Sequence, residues 1–157
     1  SILLKSVVAT KVKLMSKKQQ IVLIHGGETF ATYDEYMDFL RGYEYDPTEI
    51  REKRWKDSLN DRLGEEYEVF LPSMPRKQNA KYPEWKLWFE KYIPLFNDEI
   101  VLVGHSLGGI FLSKYLSENK LSKKVLSTYL VCIFSNLHYE LLLIFGPTFV
   151  DFWSKLM

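Results

Sequence analysis

Short unbroken apolar runs alternate along this chain with charged segments whose apolar residues recur at helical spacing. Gln20–His25 (QIVLIH) is the first run, and it ends at Gly26-Gly27. A strand with no polar face is a strand buried on both sides, as in a parallel sheet. Thr32-Tyr33-Asp34-Glu35 then has the form of a capping box, in which Thr and Glu satisfy the first free N–H groups of a helix. Tyr33, Tyr36, Met37 and Leu40 follow at helical spacing, and Gly42 stops the pattern.

Residues 43–66 are highly charged, with Trp55, Leu59 and Leu63 as an apolar stripe, which predicts a helix with a polar outer face. Tyr67–Leu71 (YEVFL) predicts a second strand, closed by Pro72. Ser73–Lys81 reads as a loop. Pro83 suits a first helical turn, Trp85, Trp88, Phe89 and Tyr92 fall at i, i+3, i+4 and i+7, and Pro94 closes the helix. An aromatic stripe at this spacing predicts a face packed on a sheet rather than a ligand box. Glu99–Gly104 predicts a third strand and Leu107 to about Asn119 a helix with Phe111, Leu112, Tyr115 and Leu116 inward. Val125–Val131 predicts a fourth strand. Strand and helix alternate throughout, which indicates an α/β domain with a parallel sheet.

Composition narrows the class. At 157 residues, with 46% hydrophobic and 15% aromatic, the chain is sized for one domain with a true core. Lys+Arg is 21 against Asp+Glu 20, which gives no electrostatic reason to expect nucleic acid or an anionic membrane as partner. Cys132 is the single cysteine, so no internal disulfide forms, and a cytoplasmic location is expected. Lys5, Lys11 and Lys13 interrupt any apolar signal segment. The stretch from Met15, MSKKQQIVLIHGG, reads like an ordinary start, so residues 1–14 are expected outside the fold, the alternative being an extra edge strand.

The chemistry concentrates at Gly104-His105-Ser106-Leu107-Gly108, a G-x-S-x-G pattern between a predicted strand and a predicted helix. A serine on such a turn is held in a strained backbone conformation that aims Oγ out of the sheet. Side chains two before and two after it would collide with strand and helix, so Gly104 and Gly108 fit there. The Leu107 N–H lies at the helix N-terminus, where the dipole favours developing negative charge, and forms half of an oxyanion hole. The other half is expected from Gly27 or Glu28, after the first strand. The alternative is a tight glycine turn with a capping serine.

With these motifs in place, the chain resembles the α/β-hydrolase superfamily, in particular its small, lid-poor serine hydrolases of the retinoblastoma-binding-protein-9 and YdeN type. The matching stretches are IVLIHGG (21–27), EVFLPSMP (68–75), YPEWKLWFEKYIP (82–94) and EIVLVGHSLGG (99–109). The resemblance implies a three-layer fold with a mostly parallel sheet. It implies Ser106 as nucleophile, Leu107 and the Gly27 region as oxyanion donors, and hydrolysis of a small carboxylic ester, thioester or amide through an acyl-enzyme. Neither a cofactor nor a metal is expected.

Ser106 also needs a histidine and a carboxylate, which in this superfamily follow it in the order acid, then histidine. His25 is expected to shape the oxyanion loop and His105 to point away from Oγ. His138 is the histidine after the elbow, but Glu140 and Asp151 both follow it, so Ser106–His138–Asp151 would run in the wrong order. The tail 132–157 carries charge at Glu140, Asp151 and Lys155, 3 of 26 positions, against 26% for the chain. It is too short for two further βα units. Asn136, His138 and Glu140 break its apolar run well below a membrane span. The expectation is therefore a hydrolase core over 15–131 whose sheet lacks its last strands, followed by a frameshifted, out-of-context or degenerate tail. Such a sheet leaves an edge open to self-association. The alternative function is a catalytically incomplete remnant acting as a binding module.

Overall fold

The apolar runs become strands, and their burial explains their composition. Ile21, Val22, Leu23 and Ile24 of β1 (Gln19–Ile24) are each at most 1% exposed, as are Ile100, Leu102 and Val103 of β3 (Glu99–His105). The structure, a computed structural model, describes residues 18–44, 58–134 and 139–145. Residues 1–14, Trp55, His138 and Asp151 lie outside them.

One five-stranded sheet has the order β2-β1-β3-β4-β5, with β2 at Tyr67–Phe70, β4 at Lys124–Phe134 and β5 at Tyr139–Phe145. The first four strands are parallel, with Ile21 opposite both Val69 and Val101. This is the expected α/β class with a four-stranded parallel sheet. A register shift at Ile100/Val101 skips Leu126, one extra residue in β4.

Side-chain alternation sorts each strand between two cores. Val22, Ile24, Ile100, Leu102 and Leu130 face helices α3 (Tyr82–Tyr92) and α4 (Leu107–Glu118). Ile21, Leu23, Val101, Val103 and Tyr129 face the short helix α2 (Leu59–Leu63). On the α3/α4 side the aromatics interlock: Phe89 lies 5.5 Å from Phe111 and 5.0 Å from Tyr115, both edge-to-face. The Tyr82 hydroxyl donates to Glu118 at 2.6 Å and ties the two helices together. Burial, then the hydrogen bond and charge of Glu118, pushes that phenol up to about 12.

Helix α1 (Tyr33–Gly42) starts with the expected capping box: the Glu35 N–H donates to Thr32 Oγ1 at 3.2 Å, and the Thr32 N–H donates to Glu35 Oε2 at 3.4 Å. Its apolar stripe buries none of its residues in the core. The rings pack on one another instead, with Phe30 5.6 Å from Tyr36 and 5.1 Å from Phe39. Within the charged segment predicted as one helix, the helix among the described residues is α2, whose Leu59 and Leu63 are 2% and 3% exposed. Helix α3 begins with Pro83 in its first turn and passes into a 3₁₀ turn, Ile93–Leu95, that contains Pro94. Its aromatic stripe divides. Trp85 and Phe89 are buried, whereas Trp88 is 39% exposed, so the stripe is not wholly a packing face.

The sheet also extends past its expected end. Strand β4 continues through Cys132, Ile133 and Phe134, so a core boundary at Val131 falls inside a strand. Strand β5, from the apolar tail, pairs antiparallel with it, Thr128 opposite Phe145 through Phe134 opposite Tyr139. The physical reason is connection length. A parallel strand needs a crossover of a dozen or more residues, whereas an antiparallel neighbour needs only a short turn. A tail too short for βα units therefore still adds a strand.

Candidate active site

The strand-to-helix turn after β3 holds the predicted nucleophile in the predicted strain. Ser106 has φ 54 and ψ −125, and with Arg76 it is one of the two non-glycine residues of positive φ among those described. Such a conformation costs on the order of 1–3 kcal/mol and needs surroundings that enforce it. Here the Ser106 N–H donates to the Val131 carbonyl at 2.7 Å, and the Ser106 carbonyl accepts from the Gly109 N–H at 2.8 Å. The hydroxyl makes no cap hydrogen bond to α4, so the capping-serine alternative does not describe this turn.

The flanking glycines permit close packing. A Cβ on Gly104 would stand 2.6 Å from the Gly109 Cα. One on Gly108 would run into the carbonyl oxygens of Ile24 and His25. Helix α4 therefore starts hard against the ends of β1 and β3, and the N–H of Leu107, its first residue, has no carbonyl within the helix to donate to. The dipole there favours negative charge.

The loop after β1 reaches the same place. A Cβ built on Gly26 would lie 3.0 Å from Ser106 Cβ. The two proposed donors on this loop part company. The Glu28 N–H donates to the Lys77 carbonyl at 2.7 Å, so it is occupied and does not serve as an oxyanion donor in this arrangement. Gly27 makes no such bond among the described residues, and it packs against the Lys77 carbonyl too closely for any side chain.

His25 holds this corner together. Its Nε2 accepts from the Met74 N–H at 2.9 Å, which places the ring proton on Nδ1, 2.6 Å from the Gly26 carbonyl that accepts it. The ring also meets Trp85 edge-to-face at 5.6 Å. His25 thus joins the β1 loop to residues 72–80, as its expected loop-shaping role required. Trp85 Nε1 and Trp88 Nε1 fix the same segment by donating to the Pro75 carbonyl at 2.8 Å and the Ser73 carbonyl at 3.0 Å.

Together these elements line an open cavity of about 910 Å³, whose lining includes Ser106, Gly27, His105, Leu71, Trp88 and Tyr92. The segment Ser73–Lys81, which its sequence marks only as a loop, supplies much of the lining through residues 73–78. The signal is the buried Trp85, whose N–H needs an acceptor and finds the Pro75 carbonyl. Glu140 lies in β5, opposite Ile133. Among the described residues, no helix is long and apolar enough to cross a membrane.

No family model matches the chain, and no curated protein or solved structure matches it either. Fold and site by themselves define an α/β protein with a strained, uncapped serine at the C-terminal end of a central parallel strand, opening into a cavity. Ligand crevices of open α/β sheets lie at that end of the strands.

Proposed function

We propose that the chain is a serine hydrolase of the α/β-hydrolase kind, acting on a small carboxylic ester, thioester or amide. The observation that carries this reading is the Ser106 backbone, φ 54 and ψ −125, held at the mouth of a cavity beside a helix N-terminus. Strain of this size is held at a half-buried turn, and it aims Oγ away from the sheet. Oγ would attack the carbonyl carbon, and the Leu107 and Gly27 N–H groups would receive the oxyanion. Collapse of the tetrahedral intermediate expels the alcohol, thiol or amine and leaves an acyl-Ser106, which water hydrolyses.

Attack requires a base for the Ser106 proton. His25 cannot serve while Nε2 accepts from Met74 and Nδ1 donates to Gly26. That observation favours a second reading, an α/β domain that binds an acyl ligand without turning it over. Treatment with a fluorophosphonate separates the two. Labelling of the wild type that disappears in Ser106→Ala supports the hydrolase. Absence of labelling in the folded wild type leaves the binding module.

A further inference from the structure

The cavity that Ser106 lines also has apolar surface. Leu71 at 43% and Trp88 at 39% are exposed large apolar side chains, and both line the same cavity as Ser106. The one polar atom of Trp88, Nε1, is bound to the Ser73 carbonyl, so the rest of the ring is carbon surface, with the Lys91 Nζ over it at 5.3 Å from the centroid. Tyr92, which lines the same cavity, meets the Trp88 ring edge-to-face at 6.4 Å. The charges in the lining do not favour either sign: it holds both Glu28 and Lys77, and Arg76 is met by Glu84 at 3.0 Å.

We infer that the cavity takes neutral esters or amides carrying an apolar group of several carbons, and that Leu71 and Trp88 are the residues that select it. This rests on the proposed hydrolase reading for the placement of the carbonyl at Ser106. The apolar contact itself does not depend on catalysis. At 910 Å³ the cavity has ample room for such a group.

The test is equilibrium binding to the full chain carrying Ser106→Ala, which cannot consume the ligand. Dissociation constants are measured by ligand-observed NMR for two series: methyl acetate, butanoate and hexanoate, and ethyl, butyl and hexyl acetate. Affinity should rise about two- to fourfold per added methylene in at least one series, the upper figure corresponding to full burial. The steeper series shows whether the acyl or the alcohol side meets the wall. Adding Leu71→Ser, an exposed change that removes no hydrogen bond, should flatten the steep series by half or more. Trp88→Phe should flatten it less. A flat dependence in both series, or an increment untouched by Leu71→Ser, overturns the inference. So does tighter binding by hexanoate analogues ending in carboxylate or ammonium. Failure of fluorophosphonate labelling in the wild type would remove the hydrolase reading and leave these binding slopes intact.

Discussion

The two faces of the sheet are built on different principles. Toward α2 the contact is mainly aliphatic: Ile21, Leu23, Val101 and Val103, with the ring of Tyr129, meet Leu59 and Leu63 on a helix of five residues. Toward α3 and α4 it is aromatic and close, with Phe89, Phe111 and Tyr115 interlocked and Gly108 pressed on β1 carbonyls. The first face needs burial and little else. The second must place the N-terminus of α4 beside Ser106, so it uses rings with defined edges, short approaches and hydrogen-bonded indoles. Burial alone supplies stability, whereas directional packing supplies position.

Truncation of each core tests that contrast. Phe89→Ala, at a side chain 0% exposed, should destabilise by about 4 kcal/mol in urea unfolding and weaken fluorophosphonate labelling in the fraction that stays folded. Gly108→Ala should cost about 3 kcal/mol even though alanine favours a helix by about 1 kcal/mol, because overpacking against backbone outweighs propensity. Leu59→Ala should lose about 2–3 kcal/mol and leave the rate of Ser106 labelling unchanged, since α2 does not position the turn. Labelling equally sensitive to Leu59 and Phe89 would dissolve the distinction between the faces.

Two smaller effects refine it. Ser106→Gly should raise the urea midpoint, by about 1 kcal/mol in stability, because glycine adopts the positive φ without strain, while abolishing labelling. Loss of stability instead would mean that the turn is not strained. The Tyr82–Glu118 clip predicts a pH dependence. The folded chain keeps a phenol proton that the unfolded chain releases near pH 10, so stability is full below that pH and falls as pH rises toward about 12. Tyr82→Phe should reduce that fall, measured as urea midpoints across the same range.

Much of the fold was legible because its causes are local. QIVLIH and EIVLVGH are apolar on both sides, and both strands are buried on both faces. Thr32 and Glu35 cap α1 through bonds spanning three residues. What escaped is non-local. The N–H of Glu28 is taken by Lys77, about fifty residues away in sequence, and nothing near Glu28 announces it. Trp85 and Trp88 share one helical spacing, yet one packs on the sheet and the other borders the cavity, a division set by the path of residues 71–78. Strand β5 was hidden because antiparallel pairing leaves no crossover signature in the chain.

By itself the sequence determined the parallel α/β layout, the glycines at 104 and 108, and the serine between strand and helix, since each follows from periodicity or from steric demands within a few residues. Tertiary structure alone decided which loop N–H remains for an oxyanion, how His25 divides its two nitrogens, and which aromatics face the cavity. Those outcomes depend on hydrogen-bond partners and neighbours brought together from distant parts of the chain, and local pattern carries no record of them.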